Sequence, residues 1–127
     1  MFVFLVRHAE AEPGRPDELR PLTEEGRESA QLLAELLADR RPDAVVSSPL
    51  VRARATAEAI AAAAGIEAAT DEGLRPGATV ESLRAAIAGR GERVVAVGHQ
   101  PDCSEIYLGL TGEERSFPTA GFAEVEL

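Results

Sequence analysis

The chain contains only two histidines, and each follows an apolar stretch of the kind found in buried strands. His8 comes after FVFLV with Arg7 directly before it, and His99 comes after VVAVG. A neutral imidazole can act as a nucleophile near neutral pH, and the guanidinium fork of arginine can bind phosphate oxygens in pairs. These residue types, at the ends of apolar stretches, indicate chemistry on a phosphorylated substrate.

A third apolar stretch leads into a serine pair, Ser47 and Ser48, and then to Arg52. In open α/β sheets, ligands bind beyond the carboxyl ends of the strands, where helix N-termini offer free N–H groups to anions. We therefore expect the residues that follow the three stretches to meet at one edge of a sheet. These residues are Arg7, His8, Ser47, Ser48, Arg52, Gly98, His99 and Gln100.

The elements that would position these residues alternate between strand and helix patterns along the chain. This alternation predicts an α/β fold, a single-domain three-layer α/β/α sandwich over residues 1–127 with a mostly parallel central sheet. Strands are predicted at residues 2–6, 43–47, 66–70, 93–99 and, at an edge, 119–127. Helices are predicted at residues 24–39, 49–64, 80–88 and 101–110.

Two of the helices carry clear capping signals. Thr23 is predicted to be the N-cap of the first long helix, because acidic residues follow it in the first turn. Ser48 is predicted to cap the second helix, with Pro49 in its first turn and Gly65 as its C-terminal stop.

Composition limits the classes of partner. The chain has 127 residues and a net charge of −9, and all of its basic residues are arginines. Such an acidic chain is not expected to bind nucleic acid or an anionic membrane, so an anion site has to be built locally from a few arginines. No apolar run is long enough to cross a bilayer, and one cysteine cannot form an internal disulfide, so we expect a cytoplasmic protein.

Several known chemistries for phosphorylated substrates fit the sequence poorly. A cysteine phosphatase needs an arginine six positions after its nucleophile, but Gly109 stands six positions after Cys103, which we expect to be a small buried residue. No strand ends in the paired aspartates that an aspartyl-phosphate mechanism needs. Two histidines, each beside an arginine at its own strand end, make a poor cation site, so neither a metal nor another cofactor is expected.

Four stretches, in this order, resemble the histidine phosphatase superfamily related to phosphoglycerate mutase: LVRHAEA, LTEEGRESA, SSPLVRARATAEAI and VVAVGHQP. The short chain, together with RHAEA and LRPGAT, resembles the small SixA-like branch of phosphohistidine phosphatases. The resemblance covers nearly the whole chain. It implies a phosphoglycerate mutase-like fold and a metal-independent phosphatase.

The resemblance also implies roles for four residues. His8 is the expected nucleophile, forming a phosphohistidine intermediate that water then hydrolyses. Arg7, Arg52 and His99 are expected to surround the phosphoryl oxygens and to stabilise the negative charge of the transition state. The superfamily's usual glycine after the nucleophile is replaced by Ala9, a small residue that is common at this position in the SixA-like branch.

Two carboxylic acids are candidates for the residue that would protonate the leaving group. Larger relatives place a carboxylic acid in the loop after the third strand, and in this chain Asp71 and Glu72 are the nearby candidates. An alkoxide leaving group benefits from a positioned acid, whereas a phosphorylated imidazole can take its proton from solvent.

The expected substrate is therefore a phosphohistidine on a partner protein. Two alternatives stay open at this point: a phosphatase of small phosphate monoesters or phosphosugars, and a non-catalytic regulatory protein that only binds phosphate. A mutase is disfavoured, because a chain of this length has no room for substrate-enclosing insertions.

Overall fold

The computed structural model describes residues 1–127 and contains one five-stranded sheet with the strand order β3-β2-β4-β1-β5. The strands are β1 (Phe2–Arg7), β2 (Ala44–Ser47), β3 (Ala68–Thr70), β4 (Arg93–Gly98) and β5 (Phe122–Glu126). The helices are α1 (Glu24–Ala38), α2 (Val51–Ala64), α3 (Val80–Ile87) and α4 (Asp102–Thr111). Two short 3₁₀ turns lie at Asp17–Leu19 and Glu72–Leu74.

Helices cover both faces of the sheet, because the central strands are apolar on both sides. Phe4 and Val6 of β1 pack with residues of α1 and α2. Val3 and Leu5, which alternate with them, pack on the opposite face with residues of α3 and α4. This arrangement confirms the predicted three-layer α/β/α sandwich.

Strand β5 is the only antiparallel member of the sheet and pairs with β1 at one edge. Ala123 and Val125 are buried whereas Glu124 and Glu126 are exposed, as expected for an edge strand with one face on the core. The predicted mostly parallel sheet with an edge strand at the C-terminal end is therefore confirmed.

The helix termini agree with the sequence in one case and differ in another. The Thr23 hydroxyl accepts the Gly26 N–H at 2.8 Å and caps α1 as predicted. The prediction that Ser48 caps α2 is wrong, because the helix begins at Val51 and its N-cap residue is Leu50. The backbone N–H of Ser48 still bonds to Val97 of β4, which holds Ser48 to the sheet and delays the helix.

The register of the parallel strands brings their carboxyl ends together. Arg7 of β1 lies opposite Gly98 of β4, and Ser47 of β2 lies opposite Val97. The residues that follow these strands therefore emerge at one edge of the sheet, as the sequence predicts.

None of the helices combines the length and the apolar character that crossing a bilayer requires.

Candidate active site

His8 is buried at the end of β1, and its ring is held by hydrogen bonds at both nitrogens. Its backbone N–H donates to the Gly98 carbonyl at 3.1 Å. Its Nδ1 lies 2.7 Å from the carbonyl oxygen of Ala9, which can only accept, so Nδ1 carries the hydrogen. Nε2 therefore carries the lone pair of the ring, which accepts the Nε–H of Arg52 at 3.3 Å. The ring therefore presents Nε2 as its nucleophilic atom.

The surroundings of His8 keep its ring neutral. The pKa of His8 is lowered from 6.5 to about 4: burial is the main cause, the hydrogen bond to Ala9 opposes it, and the charges of Arg52 and Arg7 add to it. At neutral pH Nε2 therefore keeps its lone pair, which can attack phosphorus when a substrate displaces the hydrogen bond from Arg52.

Arg52, in the first turn of α2, is almost fully buried and is held by Asp17 as well as by His8. Its two terminal nitrogens donate to the Asp17 carbonyl at 2.8 Å and to the Asp17 carboxylate at 3.2 Å. Hydrogen bonds from Arg20 and Arg52 hold the pKa of the Asp17 carboxyl below its usual range. Asp17 therefore stays ionised and fixes the guanidinium next to Nε2 of His8.

Arg7 and His99 complete the cluster, and each has a buried nitrogen without a protein partner. Arg7 donates through Nη1 to the Phe117 carbonyl at 3.0 Å, which leaves Nε unpaired. His99 bonds through Nε2 to the Ser48 hydroxyl at 2.8 Å, which leaves Nδ1 unpaired. Buried polar atoms are rarely left unpaired in folded proteins. The two atoms are therefore suited to binding the oxygens of an anion.

The two histidine rings lie next to each other. Their centroids are 5.3 Å apart and their planes are tilted by 60°. Burial lowers the pKa of His99 to about 3, and the charges of His8 and Arg52 contribute to the shift. Both rings are therefore neutral at neutral pH, and the positive charge of the cluster comes from Arg7 and Arg52.

The loop after β1 is fixed by contacts with both neighbouring helices. The Ala9 N–H donates to the Thr56 hydroxyl at 3.0 Å, and that hydroxyl donates to the Arg52 carbonyl at 2.8 Å. On the side of α1, a side chain at Gly26 would overlap the Glu10 carbonyl, so glycine is needed for this close approach. These contacts set the position of His8 relative to Arg52.

Arg52 and His99 lie against the ring of His8, and the charge of Arg7 acts on the same ring, whereas the two candidate acids lie elsewhere. The Asp71 carboxylate accepts the Gly73 N–H at 2.8 Å, and Glu72 pairs with Arg75 on the surface at 3.1 Å. Neither carboxylate makes a hydrogen bond or an ion pair with the cluster.

Gln100 and Cys103 lie on either side of the start of α4. Gln100 bonds through its side chain to the Ser104 hydroxyl and N–H in the first turn of α4. Cys103 is buried, as expected, and burial raises its pKa to about 12, so its thiol is not reactive. No group of three or more histidine, cysteine or acidic side chains is arranged to hold a metal ion.

Asp17 is the contact that the sequence did not predict. A buried arginine needs an acidic or polar partner, but 22 acidic residues were available. Asp17 lies in a proline-bearing loop without periodicity, so no pattern distinguished it from the other acidic residues.

The chain is similar to a known family of proteins and to several solved structures. Residues 3–78 match the model of the histidine phosphatase superfamily (branch 1). An uncharacterised protein of Picosynechococcus sp. is 37% identical over an alignment of 113 residues, and the match covers 80% of this chain and 68% of that protein.

Solved structures with the same fold include phosphatases. A protein of Agrobacterium tumefaciens, provisionally assigned as the phosphohistidine phosphatase SixA, is 33% identical with a TM-score of 0.82, covering 97% of this chain and 89% of its own. The protein histidine phosphatase SixA in complex with tungstate is 28% identical with a TM-score of 0.87, covering 100% of this chain and 88% of its own. A mycobacterial glucosyl-3-phosphoglycerate phosphatase shares the fold at 20% identity and a TM-score of 0.80, covering 98% of this chain and 92% of its own.

Proposed function

The chain belongs to the histidine phosphatase superfamily (branch 1) and is a phosphatase, and we propose that it works without a metal, through a phosphohistidine intermediate at His8. The observation that carries this proposal is the state of the His8 ring. Nδ1 is held as a donor by the Ala9 carbonyl, and the lone pair of Nε2 faces the Arg52 guanidinium. A neutral imidazole in this tautomer is a competent nucleophile for phosphorus.

The proposed reaction has two steps. In the first, Nε2 of His8 attacks phosphorus in line, the bond from phosphorus to the leaving group breaks, and the leaving group takes up a proton from solvent. In the second, water attacks phosphorus, the bond to Nε2 breaks, and inorganic phosphate leaves. The Nδ1–H bond to Ala9 stabilises the positive charge that the ring gains when it is phosphorylated.

Arg7, Arg52 and His99 are the proposed ligands of the phosphoryl oxygens. Arg7 and Arg52 supply fixed positive charge next to His8, and the unpaired Nε of Arg7 and Nδ1 of His99 supply further hydrogen-bonding capacity. Charge stabilisation of this kind is the main contribution that a protein makes to phosphoryl transfer. The tungstate bound to the SixA protein of 28% identity is consistent with an oxyanion site in this fold.

We propose phosphohistidine on a partner protein as the substrate. The candidate acids Asp71 and Glu72 are bonded to Gly73 and Arg75, and the Asp17 carboxylate near Arg52 is ionised and has no proton to give. A phosphorylated imidazole leaves without a positioned acid, whereas an alkoxide from a phosphate monoester gains much more from one. The names of the two SixA proteins favour the same substrate class.

A substrate screen tests this proposal. The purified protein is incubated with a chelator present and is given, separately, a histidine-phosphorylated protein, p-nitrophenyl phosphate and a set of phosphosugars. We expect chelator-resistant release of phosphate, fastest from the phosphohistidine protein and absent in the His8→Ala variant. Faster turnover of a phosphosugar would replace the proposed substrate with a small monoester, and no turnover of any substrate would favour a phosphate-binding protein.

A further inference from the structure

The Ser48 hydroxyl lies at the junction of β2 and α2, where burial and backbone hydrogen bonds hold the residue in place. Ser48 is fully buried, and its backbone N–H donates to the Val97 carbonyl at 3.0 Å. Its carbonyl accepts the Ser47 hydroxyl at 2.9 Å. The side chain therefore has little freedom to change its partners.

Two groups contact the Ser48 oxygen. The Leu50 N–H donates to it at 3.2 Å, and Nε2 of His99 lies 2.8 Å away. A serine hydroxyl has one hydrogen to give, and an amide N–H can only donate, so the Ser48 hydrogen is not used toward Leu50. The contact with His99 is the only one that can use it.

The direction of the hydrogen bond between Ser48 and His99 follows from these two contacts. If Nε2 of His99 carried a hydrogen and donated it, the Ser48 hydrogen would be buried without an acceptor. Buried donors are rarely left in that state. The Ser48 O–H therefore donates to Nε2, and the single hydrogen of a neutral His99 ring lies on Nδ1.

Nδ1 of His99 is also the ring nitrogen that has no protein partner. It is buried, and its ring lies 5.3 Å from the ring of His8, centroid to centroid. We propose that Ser48 is a positioning residue that fixes the His99 tautomer so that Nδ1–H is offered to an oxygen of the phosphoryl group on His8. This inference rests on the proposed function of His8.

The wild-type protein supplies the first test, because the tautomer can be read without turnover. Two-bond ¹H–¹⁵N correlation spectra of the imidazole rings distinguish a protonated nitrogen from one with a lone pair, and the His8→Ala variant assigns the two rings. We expect His99 to show hydrogen on Nδ1 and a lone pair on Nε2. A hydrogen on Nε2 in the wild-type protein would overturn the inference, while His8-dependent turnover would leave the proposed function intact.

Variants supply the second test. Ser48→Ala should give a mixture of His99 tautomers and reduce kcat by about 10-fold or more. This loss should be smaller than that from removing a direct donor to the phosphoryl group, which is typically about 10²- to 10³-fold. Ser48→Thr keeps the hydroxyl and should retain the Nδ1–H tautomer and most of kcat. Ser82→Ala, which removes a serine hydroxyl from the first turn of α3, is the control and should change neither measurement.

The outcomes separate the two proposals. A Ser48→Ala protein with an unchanged His99 tautomer and unchanged kcat would overturn the role of Ser48 and leave the role of His8 standing. Loss of kcat with an unchanged tautomer would mean that Ser48 acts only through the structure of the turn, which also overturns the inference. Turnover that survives in His8→Ala would instead overturn the proposed function.

Discussion

Replacing Arg52 by alanine removes the one guanidinium that hydrogen-bonds to His8, and we expect the variant to bind oxyanions more weakly. A guanidinium has five N–H groups, and in Arg52 three hydrogen bonds go to His8 and Asp17. The remaining two N–H groups can bind substrate oxygens. Arg52 is also 6% exposed, so solvent weakens such bonds very little.

The size of the effect follows from one charged hydrogen bond. A hydrogen bond to a charged group contributes about 1.5–3 kcal/mol. At about 1.4 kcal/mol for each factor of ten, losing one such bond weakens binding by about 10- to 150-fold. A second lost bond would increase the effect, so the lower figure is the minimum we expect.

Isothermal titration calorimetry with tungstate or vanadate measures this affinity directly. Arg54→Ala is the matched control, because Arg54 lies two residues further along the same helix, is exposed and pairs only with Glu58 at 3.9 Å. We expect wild-type affinity in Arg54→Ala. Unchanged affinity in a folded Arg52→Ala protein would show that Arg52 is not part of the phosphate site.

The further predictions concern the nucleophile, pH, the candidate acids and the loop after β1. His8→Ala should abolish turnover while circular dichroism shows an unchanged fold; substantial residual turnover would exclude His8 as the nucleophile. Turnover should fall as pH drops toward 4, because His8 with a pKa of about 4 becomes protonated, and a profile that falls already near the ordinary 6.5 would contradict this. Burial depresses the pKa values of His8 and His99 below 6.5, so the unfolded chain binds more protons between about pH 4 and 6.5; chemical denaturation should show stability decreasing as pH falls through this window. Asp71→Ala should lower the free energy of unfolding by about 0.5–2 kcal/mol, because it removes the cap on the Gly73 N–H, whereas Glu72→Gln should have little effect on stability. Both variants should keep phosphohistidine turnover. A large loss of kcat in either variant would identify the replaced residue as the acid. Gly26→Ala should destabilise the protein by about 1–3 kcal/mol in urea unfolding, because its methyl group meets the Glu10 carbonyl, and an unchanged midpoint would show that α1 can shift.

The parts of the site that depend on parallel strands could be predicted from the sequence. The apolar runs before His8, Ser47 and His99 identify buried strands, and parallel strands in one sheet end at the same edge. The observed register of β1, β2 and β4 is the direct consequence. The four clustered residues follow from the strand pattern together with the family resemblance.

The parts that depend on contacts between distant loops could not be predicted. Asp17 reaches Arg52 from a loop that contains several other acidic residues, and no spacing rule selects it. Ser48 precedes a proline and so has the local pattern of a helix cap, but its hydroxyl bonds to His99, 51 residues away. The predicted start of α2 is wrong because the serine–proline pattern is local, whereas the partner of the Ser48 hydroxyl is a distant residue, His99.

The most direct test of the account is to trap the phosphorylated enzyme. The protein is mixed with a ³²P-labelled phosphohistidine protein in the presence of a chelator and quenched in alkali within the first turnover, and the labelled residue is identified by mass spectrometry and ³¹P NMR. We expect an acid-labile phosphoryl group on Nε2 of His8 that is absent from His8→Ala. Turnover with the label on another residue, or with no labelled enzyme under any quench time, would contradict it.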